Sequence, residues 1–463
     1  MTVTRRQTLA SLAAASGAAA LPADWLGAAP VPSLVVEPED FAQIADGRGD
    51  AAAAINSALG ELARRGGGTL RFRRGKTYRL ETSDPRTAAT HPAYLASIGL
   101  PGGAHDIVID LNGAVLLQVV DAYTIGSAFA IFNTPRLIGD VLPMRGTPQR
   151  GDGAVELAPG LAVPRAGSVV MLAAGNTTPG SFAPVAEMQV VSSVNGRTLH
   201  FDRPLAKSYH RFGRGPSGEA PFGLFDVTGR SLRNISLIGP GRIVNDKRRA
   251  GNLMQIVGLT VRNVTCEGRG GLAMRGRDLA MLDCSAEIHA NWRQPIYRPI
   301  CCGFDTGTSH ARIRNFQADG GSGATYLHLH EALADVAVEG LSIVNGTTFD
   351  PAAEGNGAIS ILGSSWNVSI DGATIANNPQ GWGIRAVQSS IGAGGNRALR
   401  LQNITLAGEF RLEPVLIDDD SDVLLGNIDV SRARVVPSRK GVRKLLLKGP
   451  RVKLGKVIDA PQG

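Results

Sequence analysis

Cysteine, aromatic residues and long apolar runs are all scarce in this 463-residue chain. The four cysteines, Cys266, Cys284, Cys301 and Cys302, form no C-x-x-C pair and no Cys/His spacing of a zinc site, which excludes a zinc-finger scaffold. Beyond the N-terminal stretch no segment has 18 consecutive apolar residues, so no spanning helix is expected and the rest of the chain should be soluble. Acidic residues are missing from one region. Val430 to Ile458 holds ten Lys/Arg and no Asp or Glu, although the net charge of the whole chain is only +8. The body is therefore close to neutral and one end is basic. That end reads as a solubilising cap or as a patch for acidic glycan or lipopolysaccharide. What is abundant is glycine, at 58 residues, against 5% aromatics. Both figures suit many short strands joined by turns.

Residues 41–80 show how the strands begin. Ala54, Ile55, Ala58, Leu59 and Leu62 recur at helical spacing. Asp50 stands where an N-cap belongs, and Gly66 to Gly68 end the helix. Leu70 and Phe72, then Tyr78 and Leu80, alternate with other residues as strands do. The order of Asp46-Gly47-Arg48-Gly49-Asp50, helix, Gly66-Gly67-Gly68-Thr69-Leu70-Arg71-Phe72 and the turn into Tyr78 is distinctive. It resembles the N-terminal cap of right-handed parallel β-helix proteins of the pectate lyase superfamily, including relatives of family 28 glycoside hydrolases. The resemblance implies an all-β solenoid with a capping helix, and a protein that handles polysaccharide.

The first residues read as an address. Thr4-Arg5-Arg6-Gln7-Thr8-Leu9 resembles a twin-arginine export signal, departing from it at Thr8. The apolar run Leu9 to Leu21 and the segment Leu26 to Pro30 complete a leader with a cleavage region. Residues 1–29 are thus expected to be a signal peptide, and the chain periplasmic or secreted. An exported chain argues against a nucleic-acid partner. It folds before export in a reducing compartment, so buried free thiols are expected rather than disulfides.

A strand motif centred on Asn recurs at Asn234, Asn263, Asn315, Asn403 and Asn427, with degenerate copies at Asp283, Gly340 and Gly372. Successive centres lie 29, 20, 32, 25, 32, 31 and 24 residues apart. A coil of a right-handed β-helix uses twenty-odd residues, and loops supply the excess. The residues one and three places after each centre are apolar and should enter the core. Asn at a bend can stack on Asn of the next coil. The Asn-x-Ser/Thr triplets at Asn234, Asn263, Asn367 and Asn403 follow from this motif rather than from glycosylation. Residues 154–210 break the pattern with alternating segments and the hairpin signal Asn195-Gly196. The expected organisation is cap and first coils over 30–153, an inserted antiparallel β-subdomain over 154–210, the main β-helix over 211–436, and a basic segment over 437–463.

Counting eleven residues back from the centres gives Leu272, Phe304, Leu329, Ile361 and Leu416, expected to form one inward ladder. Their neighbours then point outward. Asp305 should lie beside His330, and Gly303 beside His328, on coils about 4.8 Å apart. The insertion His289 to Arg298 just upstream offers Trp292 and Tyr297 for stacking on sugars, with Arg293 and Arg298 for carboxylates. Two enzymatic routes fit. A polysaccharide lyase would use His330 as base, an arginine as carboxylate clamp and Tyr297 as acid. A glycoside hydrolase would pair carboxylates, Asp305 with Glu331 or Asp246 with Asp305. A non-catalytic β-helix binding acidic polysaccharide is the third reading. Asn245-Asp246-Lys247-Arg248-Arg249 resembles one element of family 28 and suggests Lys247 as a substrate contact, but that family's Asp-Asp, Gly-His-Gly and Arg-Ile-Lys elements are absent. No metal ligands are assigned. The acidic run Asp418 to Asp420 leaves a divalent cation such as calcium open as a cofactor.

Overall fold

The computed structural model describes residues 34–42, 48–82, 84, 96–119, 129–131, 142–174, 185–209, 222–245, 250–268, 270–288, 300–320, 325–344, 357–363, 365–376, 382–387, 396–418, 422–436, 441–448 and 451–459. Most of their strands pair in parallel within one 23-stranded system. It is wound as a right-handed parallel β-helix, the hand expected of parallel crossovers.

One coil shows the design. Ile300–Phe304 forms the first side, and a turn leads into Ser309–Asp319. That strand bends twice, at His310 (φ 51°) and Asn315 (φ 54°). Stacking coils aligns these bends into two columns. Asn263, Asp283, Asn315, Gly340, Gly372, Asn403 and Asn427 form one, all at positive φ. Asn, Asp and Gly enter this region at least cost, which is why they mark the repeat. The amides also tie coils together. Asn315 Nδ2 donates to Asp283 Oδ1 at 2.8 Å, and Asn427 Nδ2 to Asn403 Oδ1 at 3.0 Å.

Asn234 departs from the expected register. It stacks on Asp106, 2.8 Å away, and on Gly258, in the other column, which continues through Asp278, His310, Asp335 and Asn367. The sequence motif looks the same because both bends make the same backbone demand.

Ile235, Val264, Cys284, Phe316, Leu341, Ile404 and Ile428 all point inward as expected, none more than 3% exposed, although Ile235 stacks on Leu259 beside the other bend column. They belong to one core running from Val36 to Ala433. Helix α1, Ala52–Arg64, closes the N-terminal end with its Ala54, Ile55, Ala58, Leu59 and Leu62 face buried. The cap residue is Ala51 rather than Asp50. Asp50 still accepts the Ala52 N–H at 3.0 Å, and accepts Glu81 N–H at 3.1 Å, joining helix start to first coil. Gly68 is glycine because contact there is tight: a Cβ would sit 2.5 Å from Leu62 Cδ2.

The insertion is a five-stranded antiparallel sheet ordered Phe222–Asp226, Val169–Ala174, Val185–Asn195, Thr198–Phe201, Ala154–Glu156. Its first strand in that order lies beyond residue 210. The hairpin turn is Gly196-Arg197, one residue later than the Asn195-Gly196 signal, because Asn195 pairs with Thr198. One face closes over its own core of Leu157, Leu172, Leu199 and Leu224. The other packs Val169, Met171, Ala186 and Met188 against Val257 of the solenoid.

The solenoid also runs past residue 436. Leu445–Lys448 pairs with Val415–Asp418, and Val452–Leu454 and Val457–Ile458 pair with Val423–Val435. Part of the basic segment is therefore an edge coil. There Lys444 Nζ lies 2.6 Å from Asp459 Oδ1 and Lys448 Nζ 3.3 Å from Asp418 Oδ2. Among the described residues no helix is long and apolar enough to cross a membrane.

Candidate functional site

The central coils place chemistry on one outer face because their strands alternate. In Thr325–Leu329, Leu327 and Leu329 enter the core and His328 points away. His328 pairs in register with Gly303, and the His330 N–H donates to Phe304 O at 2.9 Å. Gly303 clears room here, since a Cβ at that position would lie 2.5 Å from His328 O. Asp305 continues from Phe304, its N–H donating to Met274 O at 2.7 Å. It then opens a turn in which its Oδ1 accepts Thr306 N–H at 2.8 Å and its carbonyl accepts Thr308 Oγ1–H at 2.8 Å.

Asp305 and His330 come together as the register requires. His330 Nδ1 is 3.5 Å from Asp305 Oδ1 and 2.5 Å from Thr306 Oγ1. The His328 and His330 rings lie 5.1 Å apart, tilted by 45°. The His330 side chain is 32% exposed, Asp305 20%. Burial alone would raise the Asp305 pKa. The His330 and Arg275 charges, the Thr306 N–H and His328 outweigh it, and the carboxyl titrates below its usual value. A carboxylate held ionised beside an imidazole suits that imidazole to take a proton.

Arg275 was not found from the sequence. It follows Met274, which pairs with Phe304, and so faces Asp305. The ladder occupant at this coil is Met274, not Leu272, and at a later coil it is Ile417, not Leu416. Leu272 still points inward, one position along. Leu416 instead joins an outer apolar group with Trp382 and Leu412. The turn Asp305–Thr308 is longer than its counterpart after Met274, so a fixed count of eleven slips by two residues there.

The inserted sheet borders this face. A Cβ added at Gly307 would lie 3.3 Å from Ala186 Cβ, and Lys207 Nζ donates to Ala186 O at 2.5 Å. Burial lowers the Lys207 pKa to about 7, opposed by Glu187 and aided by Arg275. Glu187 is itself buried, accepting Tyr209 O–H at 3.0 Å and Ala206 N–H at 2.9 Å. Burial raises its pKa against the pull of Lys207.

The other expected residues divide. Glu331 is buried, 5% exposed, beside the Ala332 bend. Asp246, Lys247, Trp292, Arg293, Tyr297 and Arg298 lie outside the described residues. Asp418 meets Lys448 at 3.3 Å. Among the described residues no group of three or more His, Cys, Asp or Glu side chains is arranged to hold a metal ion.

His310 sits in the bend column beside this region, its Nδ1 3.7 Å from Asp335 Oδ2. Burial lowers its pKa to about 4; Asp335 opposes this, while Arg203, Arg277 and Lys207 add to it. Unfolded histidine titrates near ~6.5. Between those values the unfolded chain binds a proton that the native chain does not, so stability falls as pH drops from about 6.5 towards 4. The slope is at most about 1.4 kcal/mol per pH unit. His310→Asn, which tolerates the same backbone, should flatten that loss. Urea midpoints at pH 7 and 5 test this, and an equal decline in both proteins would contradict it.

No family model matches the chain, and no curated protein does. Among solved structures, ORF18 of Geobacillus virus E2 has a TM-score of 0.50 at 9% identity, covering 92% of this chain and 62% of its own. The tailspike protein gp49 of Pseudomonas phage LKA1 has a TM-score of 0.46 at 14% identity, over 91% and 77%. The A-module of the mannuronan C-5 epimerase AlgE6 of Azotobacter vinelandii has a TM-score of 0.34 at 14% identity, over 92% and 100%. At such identities the likeness is one of fold.

Proposed function

We propose that this protein is an exported polysaccharide-active enzyme, a lyase that cleaves a uronate-containing glycan by β-elimination. The observation that carries the reading is the Asp305–His330 pair, with His328 5.1 Å from His330 ring to ring and Arg275 beside the carboxylate. The cap's resemblance to the pectate lyase superfamily supports it. His330 would take the proton from C5 of the uronate. The C4–O4 bond breaks as the C4–C5 double bond forms, and His328 returns a proton to the departing oxygen. A protonated His328, needed to return that proton, would also supply positive charge beside the substrate carboxylate as negative charge builds, while Arg275 holds Asp305 ionised. The hydrolytic route needs a protonated carboxylic acid. Asp305 is held ionised, so it is no candidate for that acid.

The test is a panel of acidic and neutral polysaccharides, followed both by ultraviolet absorbance of the unsaturated uronate and by new reducing ends. Absorbance rising together with reducing ends supports elimination. Reducing ends alone mean hydrolysis, and neither would leave a binding protein. Export through the twin arginines is part of the same proposal. Replacing Arg5 and Arg6 by Lys should hold precursor inside the cell; unchanged export of the double variant would rule the route out.

A further inference from the structure

The two ring nitrogens of His330 meet different surroundings, and only one of them is held. Nδ1 faces two oxygens of the neighbouring coil, Thr306 Oγ1 at 2.5 Å and Asp305 Oδ1 at 3.5 Å. Among the described residues Nε2 makes no hydrogen bond, and the side chain is 32% exposed. Both oxygens belong to a single turn. Asp305 Oδ1 accepts the Thr306 N–H at 2.8 Å, and Asp305 O accepts Thr308 Oγ1–H at 2.8 Å. The His330 N–H donates to Phe304 O at 2.9 Å, which sets the histidine against that turn. Thr306 is 1% exposed, so water does not compete for its hydroxyl. Its branched side chain also has few rotamers to choose from.

Charge decides which nitrogen carries the proton of the neutral ring. A hydroxyl can donate or accept, but an ionised carboxylate can only accept. Asp305 is held ionised. A lone pair on Nδ1 would point at that negative charge, whereas a proton on Nδ1 is attracted by both oxygens. Nδ1–H therefore donates to Thr306 Oγ1 with Asp305 Oδ1 behind it, and the lone pair is left on Nε2. The opposite arrangement, with Thr306 O–H donating to Nδ1, would leave a proton on Nε2. The exposed side of the ring could then take up no further proton.

We infer that Thr306 is a positioning residue: its hydroxyl fixes His330 as the Nδ1–H tautomer and so makes Nε2 the nitrogen that accepts a proton. The tautomer is a property of the imidazole and stands apart from any reaction. Its catalytic consequence rests on the lyase reading, in which Nε2 is the atom that meets the C5 proton.

Long-range proton–nitrogen NMR of the full chain with ¹⁵N-labelled histidine tests the tautomer, at a pH where the ring is neutral. The His330 signals are identified by their loss in His330→Ala. The unmodified protein should show a protonated Nδ1 and an unprotonated Nε2. Thr306→Val, which keeps the shape and removes the hydroxyl, should move population to the Nε2–H form, and Thr306→Ser should restore the original pattern. A protonated Nε2 in the unmodified protein would overturn the inference, and this reading needs no variant to fold. An unchanged pattern in Thr306→Val would overturn it as well. On a confirmed substrate, Thr306→Val should lower kcat by about threefold to tenfold, the loss of one hydrogen bond, and Thr306→Ser should recover it. Full turnover in Thr306→Val alongside a shifted tautomer would remove the positioning role. Full turnover in His330→Ala would instead sink the lyase reading, while the NMR result would still decide the tautomer.

Discussion

His330→Ala should lower turnover on a confirmed polysaccharide substrate by roughly 10²–10⁴-fold, the usual loss for a general acid or base, with little change in thermal midpoint. The first half follows from position. His330 is a third exposed, faces an ionised carboxylate, and stands one ring contact from a second imidazole. The second half follows from the strand. His330 projects from the solenoid's outer face, so its truncation opens no cavity in the core. Steady-state rates together with calorimetry separate the two. Near-wild-type turnover would remove His330 from the chemistry. A collapse of stability would recast the Asp305–His330 pair as a structural ion pair.

Phe316→Ala should cost about 3–5 kcal/mol, the range for emptying a buried aromatic site. Phe316 is 1% exposed, directly after the Asn315 bend, and packs between Cys284 and Leu341 of its ladder. Gln317, the next residue, points to solvent. Gln317→Ala should stay within about 0.5 kcal/mol. Urea denaturation of the pair reads the alternation directly. Equal effects at 316 and 317 would mean that the register is wrong.

The fold was legible because its constraints are local and repeated. A bend that needs positive φ selects Asn, Asp or Gly wherever it recurs, and an amphipathic helix before a glycine knot shows the plug. What the repeat could not reveal was which bend a given Asn serves. Asn234 and Asn263 look alike in sequence yet occupy different columns. The face carrying Asp305 and His330 was legible because strand alternation fixes it over neighbouring coils. Arg275 was missed because turn length, unlike strand period, varies from coil to coil. The polar seam of Arg277, Asp202, Arg203 and Asp278 was also missed. It joins residues far apart in the chain, and nothing in local pattern ties the inserted sheet to those particular coils.

All four cysteines of the chain are free and sit inside the solenoid, none more than 4% exposed. Burial pushes their thiols up, that of Cys284 to about 11, so almost none is thiolate at neutral pH. Cys301 and Cys302 directly precede Gly303 on the strand that leads to Asp305. A thiol reagent added to the native protein can therefore label only molecules whose central coils have momentarily parted. The labelling rate is a clock for breathing of the solenoid at its midpoint, set by nature beside the proposed site with no engineered probe.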